Sequence, residues 1–313
     1  MLRPEHPPEE NDMLNQNRSA GFLRRNRHLL YIMPWLIGFL IFQAAPMLYS
    51  LICGFTDFSL FRGVTQTGVM NYTRIFTDSE TLRSIGLTLK FAFLSVPLKI
   101  CAALLCAALL AKQLRGIRIF RTLYYLPSIL GGSVAASVLW KAMFRDHGVV
   151  NAMLSALHLP VHSWLAEPHS AMWVIILLRV WEFGSPMLML LAALQQIPQE
   201  YSDAAALDGA GKLRTFFSVK LPMISPVLYY NLMLGFCAAM QEFNAPFVIT
   251  EGGPRGATTL FSLLLYRSAF TANEMGYACA MAWVLFLLSA SVSAGFMLLR
   301  RRFVYDPDGE AAA

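Results

Sequence analysis

Two short groups of polar residues interrupt otherwise apolar stretches, and they are where this sequence could do chemistry. Gln241, Glu242 and Asn244 stand in one stretch; Arg179, Trp181, Glu182 and Ser185 stand in another. A side-chain amide both donates and accepts without carrying charge, so Gln241 and Asn244 can exchange hydrogen bonds with solute hydroxyls and still release them. Being three apart, they are expected on one face of a helix. Phe243 and Phe247 add rings that could cover the apolar face of a sugar. Arg179 and Glu182 are also three apart and can pair with each other; alternatively Glu182 lines a cavity with Trp181 and Ser185. Polar groups in hydrocarbon are costly and turn toward a bundle interior or an aqueous cavity, so these residues, Arg179 aside, are candidates for a solute path. Interhelical hydrogen bonding is the alternative reading. Lys99 also lies deep in an apolar stretch, with no partner evident from spacing.

Bond-making chemistry has no footing here. There is no HExxH, no GxSxG and no phosphate loop: Gly211–Lys212 is followed by Leu213, and Ala206 stands where the first glycine would be. Cys53, Cys101, Cys106, Cys237 and Cys279 show no C-x-x-C spacing, so neither a metal site nor a cofactor is expected. The net charge of +6 gathers at the edges of apolar stretches instead of interleaving with exposed aromatics, which argues against a nucleic-acid partner.

The elements that must position these residues are membrane helices. Of 313 residues 56% are hydrophobic and only 14% charged, with a mean hydropathy of +0.50, whereas soluble domains run near a quarter charged. Spanning a hydrocarbon layer takes about 20 apolar residues per helix. Six stretches qualify: Leu29–Phe55, Ile85–Ala111, Thr122–Phe144, Ala171–Leu194, Pro222–Ile249 and Met275–Leu299. With the N-terminus inside, fifteen Lys and Arg fall on the cytoplasmic side and six outside, so the expected fold is all-α, multi-pass, N-in and C-in. The first stretch is too long for a signal-peptide core and is expected to remain as a helix.

Residues 1–28 and 303–313 read as cytoplasmic tails, and 29–302 as one transmembrane domain. Pro97, Pro127, Pro186 and Pro246 are expected to interrupt their spans. Val149, Met153, Leu154 and Leu157 fit a short surface helix. Glu251–Pro254 reads as a tight turn, followed over Thr258–Phe270 by an amphipathic segment lying along the membrane face.

Between the fourth and fifth stretches lies a polar element. Pro198 suits a first helical position, Glu200 and Asp203 favour the positive end of the helix dipole, Ala204, Ala205 and Ala206 propagate the helix, and Gly209 after Leu207 and Asp208 stops it. A second short helix over Lys212–Val219 then leads into Leu221–Pro222. A loop of good helix propensity with no partner would read the same way.

The spacing Asp203-Ala204-Ala205, three residues, Gly209, nine residues, Val219, one residue, Leu221-Pro222 resembles the signature loop of binding-protein-dependent ABC importer permeases. Asp203 stands where that family usually has Glu, and Val219 where it usually has Ile. Arg121–Pro127, Asp208–Ala210, Gly252–Pro254 and Tyr266–Phe270 resemble its carbohydrate uptake subgroup, with Glu251 where a third glycine is common. The resemblance, over Leu29–Arg302, implies a permease subunit of an ATP-driven sugar or polyol importer in the bacterial cytoplasmic (inner) membrane. It implies that residues 203–209 form a coupling helix seated on an ATPase dimer, and that a second permease subunit and an extracytoplasmic solute-binding protein are partners, with lipid around them. ATP hydrolysis would belong to the partners, not to this chain. An ion-coupled secondary transporter, with Glu182 or Glu242 as its ion site, is the alternative.

Overall fold

The structure is a computed structural model describing residues 27–111 and 117–305. Both expected tails, and Lys112 and Arg115, lie wholly or almost wholly outside the described residues. The chain divides into two compact units, one ending at Cys53 and one beginning at Gly54. Among the described residues there is no strand, only isolated bridges such as Thr56 to Thr67.

The described residues of the first unit form one helical rod: α1 (Arg27–Phe39) runs through a π turn at Leu40–Ala44 into α2 (Ala45–Gly54). Tyr31, Trp35, Ile41, Phe42 and Leu48 are all exposed on it. A helix apolar on every side belongs in lipid or against a partner.

In the second unit the loop between the first and second apolar stretches is more ordered than its composition suggests. It holds α3 (Met70–Thr77), and α4 (Ser79–Leu110) starts six residues before the expected span. Asp78 caps α4, accepting the Glu80 and Thr81 amides at 3.3 and 3.2 Å. α4 is the spine of the unit. Its buried face sets the small residues Ser84, Thr88, Ala92, Ser95, Ala103 and Ala107 among Phe91, Val96, Ile100 and Leu110, and the small ones let neighbouring backbones approach. At Gly235 an added Cβ would lie 2.8 Å from Val96 Cγ1.

α5 (Ile117–Leu130), α6 (Val134–Met143) and α7 (Val149–Ala156) come next, and α8 (Pro168–Trp181) and α9 (Gly184–Gln196) pack against α4. α10 (Gln199–Leu207) and α11 (Lys212–Thr215) follow; α11 continues through a π turn, Phe216–Lys220, into α12 (Leu221–Met223). Then come α13 (Ser225–Met240), a π turn at Pro246–Thr250, α14 (Phe261–Tyr266), a π turn at Arg267–Thr271, and α15 (Met275–Phe303). The loop between the third and fourth apolar stretches carries the expected short helix as α7, with Val149, Met153 and Leu157 exposed.

Among the described residues three helices are long and apolar enough to cross a membrane, or up to six if each of three bent pairs is one span. The bends are 104° between α5 and α6, 42° between α8 and α9, and 68° between α12 and α13. Two of the expected prolines do not interrupt: Pro97 lies within the unbroken α4 and Pro127 within α5. Pro186, in the first turn of α9, has no amide hydrogen for the carbonyl of Glu182, four residues back at a break, and Pro246 stands in the same relation to Glu242. The bends fall at Gly131–Ser133, Glu182–Phe183 and Ile224.

The segment after Pro254 does not lie along a surface. Phe261 and Leu263 of α14 are fully buried and Leu264 nearly so. The Phe261 amide donates to the Thr88 hydroxyl at 2.8 Å, drawing the segment into the core against α4.

Candidate functional site

The residues proposed to line a path meet where helices break. α5 ends at Leu130, and Gly131 and Gly132 turn the chain through the sharpest bend; Gly132 has φ +74°, a left-handed conformation natural to glycine. An added Cβ at Gly131 would lie 2.7 Å from Glu182 Cγ, so the glycine is also a matter of room. α8 ends at Trp181, and Glu182 and Phe183 form the next break. α13 stops at Met240, leaving Gln241 in a turn and Glu242 and Phe243 without helix before the chain re-coils at Asn244. The expectation that Gln241 and Asn244 share a helix face therefore fails: a break separates them.

Breaking a helix frees backbone groups that hydrocarbon cannot satisfy. The polar side chains do so here. Glu182 Oε1 accepts the Gly132 amide at 2.9 Å, and Asn244 Nδ2 donates to the Gly132 carbonyl at 2.7 Å, so both backbone groups of one glycine are held by two other spans. The Ser128 hydroxyl donates to the Glu182 carbonyl at 3.1 Å and accepts the Ser185 amide at 3.0 Å, stitching α5 across the break between α8 and α9. Glu242 Oε1 accepts the Ala245 amide at 3.2 Å, and the Ser262 hydroxyl donates to the Glu242 carbonyl.

Charge is balanced at the same place. Arg179 lies 3.1 Å from Glu182 and 3.7 Å from Glu242, and Lys99 lies 3.7 Å from Glu182. Arg179 and Glu182 thus pair as their spacing allowed, and Lys99 has a carboxylate partner that spacing could not reveal. Glu182, Arg179, Glu242, Asn244 and Gly132 line a cavity of about 10 Å³, which is room for no more than a single water. No sugar fits there in this conformation.

Of the proposed path residues, Ser185 and Gln241 are exposed and Trp181 half-buried, its ring 5.4 Å from that of Trp140. Phe243 stacks on Phe247 at 5.0 Å, and Tyr266 meets both at 5.0 and 5.4 Å. With Phe247 and Phe270 exposed at the end of this row, the rings present an aromatic surface beside Gln241 in sequence. The sequence reading missed Gly131, Gly132, Ser128 and Ser262. Only the glycine pair left a signal: two adjacent glycines inside an apolar stretch mark a break.

The second surface is polar and exposed. α10 begins at Gln199 with Pro198 as its cap, one residue later than expected, since Pro198 takes ψ 139°. Asp203, Ala204, Ala206, Leu207 and Asp208 are exposed, Leu207 at 91%. Ala205 is half-buried, and Gln199 Nε2 donates to Asp203 Oδ1 at 3.2 Å. Gly209 has φ +77° with nothing within 4 Å of an added Cβ. Beneath the turn a pocket of about 470 Å³ runs between α10 and α11, including Asp203, Lys212 and Lys220. On the loop between α2 and α3, the Thr65 hydroxyl and then the Gln66 and Thr65 amides hold the Asp57 carboxyl down to about 2.

Residues 79–305 match a family described as binding-protein-dependent transport system inner membrane component. The chain is 41% identical over 262 residues to the probable ABC transporter permease protein YesP of Bacillus subtilis (strain 168), covering 82% of this chain and 85% of that one. It is 33% identical over 298 residues to the trehalose/maltose transport system permease protein MalF of Thermococcus litoralis, covering 92% and 99%. Among solved structures, a chain of a bacterial alginate ABC transporter in complex with alginate pentasaccharide-bound periplasmic protein superposes with a TM-score of 0.77 at 23% identity. That match covers 90% of this chain and 96% of that one, and the likeness is one of fold.

Proposed function

The chain belongs to the family of binding-protein-dependent transport system inner membrane components, and from that premise we propose that it is the permease subunit of an ATP-driven importer for a sugar or related polyol. It is a multi-pass inner membrane protein and a transport subunit, not an enzyme. The substrate class rests on relatives that carry sugar names, MalF among them.

The observation that carries the reading is the exposed α10, Gly209 turn and α11. In a chain of six spans, N-in and C-in, with residues 29–302 as its membrane domain, Asp203–Gly209 faces the cytoplasm as a coupling helix. Alanines on its outer side let a partner approach closely, and closure of an ATPase dimer there moves α9 and the helix leading into α13. A second permease subunit supplies the other half of the path, and a solute-binding protein delivers from outside. Gln241, Asn244, Trp181 and Ser185 border the path, with Glu182 and Glu242 directly behind them.

The ion-coupled alternative has no support: Glu182 and Glu242, its two candidate sites, are both engaged by Arg179. The test is gentle purification from the native membrane. Recovery of an ATPase and a second permease, lost in Gly209→Glu with insertion intact, is the expected result. A lone chain or homo-oligomer that still transports would overturn the reading.

A further inference from the structure

Four ionisable side chains from three segments close on one another in the middle of the second unit: Lys99 on α4, Arg179 on α8, Glu182 just after α8, and Glu242 in the break after α13. Their side chains are 14%, 16%, 9% and 13% exposed, respectively. Two cations face two carboxylates, so the group is neutral when fully ionised. Each carboxylate also accepts a backbone amide close to a break, Gly132 for Glu182 and Ala245 for Glu242.

Buried ion pairs rarely add stability over apolar packing of the same volume, whereas removing one partner alone is severe. What such a group supplies is a fixed arrangement. Here that arrangement joins α4 to the broken third, fourth and fifth apolar stretches, immediately beside Ser185 and Asn244. Neither carboxylate has a free approach, and the adjoining cavity of about 10 Å³ admits no solute.

We propose that Lys99, Arg179, Glu182 and Glu242 form a charge-balanced clamp that fixes the broken ends of three spans relative to α4, with Lys99 as its positioning residue, and that the clamp contacts neither solute nor a coupling ion. The proposal rests on the permease reading, because transport is its readout.

The experiment uses the complete transporter in membrane vesicles, with ATP inside and the binding protein and solute outside. Wild-type uptake that needs no ATP, or no ATPase co-purifying, would fail the permease reading and leave the clamp to be read from the thermal unfolding midpoint of the purified chain. That midpoint is lowered in each single variant and recovered in the double if the clamp holds, and unrecovered in the double if it does not. Lys99→Met and Glu182→Gln each leave one charge uncompensated, whereas Lys99→Met/Glu182→Gln leaves Arg179 with Glu242 and is balanced again. In Glu182→Gln the side-chain amide carbonyl still accepts the Gly132 amide, so only the charge is removed.

Each single variant is expected to lose uptake about ten-fold or more. The double variant is expected to recover to within about three-fold of wild type with its half-saturating solute concentration unchanged, a coupling that only interacting residues show. Lys99→Arg should transport. A double variant no better than the worse single overturns the proposal, as does a Lys99→Met variant that transports normally or that changes only the half-saturating concentration. Where a single variant fails to assemble, co-purification replaces uptake: assembly restored in the double supports the clamp, and assembly lost in both overturns it.

Discussion

Glu251 shows how one residue can carry a conformational cost. It sits at φ +51°, followed by Gly252 at φ +77°, so two successive residues are left-handed. For a residue with a Cβ that conformation costs roughly 1–2 kcal/mol, which is the physical reason a glycine is common there in the family this chain resembles. Glu251 also reaches Lys141 at 3.2 Å, but its side chain is 73% exposed and such a pair contributes less than about 1 kcal/mol. Glu251→Gly is therefore expected to leave transport intact and to stabilise the chain by up to about 1 kcal/mol, read as a higher midpoint of thermal unfolding in detergent. Asn244 is the opposite case, a side chain that the backbone needs. Asn244→Leu strands the Gly132 carbonyl, a loss of about 1–3 kcal/mol. It should lower both the unfolding midpoint and uptake while the ATPase subunits stay bound; normal uptake would move the path elsewhere.

At the scale of elements, the breaks matter more than the helices. The prolines expected to interrupt the apolar stretches divide: those of α4 and α5 are tolerated within helix, whereas Pro186 and Pro246 follow breaks by four residues. The decisive positions are glycines and charged residues whose partners lie on other spans. Gly184 illustrates it: an added Cβ would stand 2.5 Å from the Tyr124 carbonyl oxygen and 2.7 Å from Ser128 Oγ, a closeness no local pattern announces. The helix, turn and helix of α10 and α11 were legible because alanine runs and a stopping glycine act locally. At Gly209 there is space for a methyl group but the φ of +77° disfavours it. Gly209→Ala is thus expected to cost roughly 1 kcal/mol of local stability and keep most stimulated ATP hydrolysis, whereas Gly209→Glu abolishes it by obstructing the partner. Equal losses from the two substitutions would assign the effect to backbone strain and remove the docking explanation.

For the whole molecule, the proposed orientation places Leu207 inside and Phe61 outside, and both are highly exposed at 91% and 82%. In a variant with the five native cysteines replaced, Leu207→Cys should react with a membrane-impermeant thiol reagent only when the cytoplasmic face is open, and Phe61→Cys only from outside. Labelling of both from one side would contradict six spans with both termini inside. By itself the sequence determined the helical membrane class, the approximate stretches and the exposed helical turn, because hydrophobic length, alanine propensity and a left-handed glycine are properties of adjacent residues. Only the tertiary structure decided that Thr258–Leu264 folds into the core, that Gln241 and Asn244 are parted by a break, and that Lys99 belongs with Glu182. Each of those depends on which distant backbone or charge a side chain must satisfy in a medium without water, and partners 83 residues apart, as Lys99 and Glu182 are, leave no trace in local spacing.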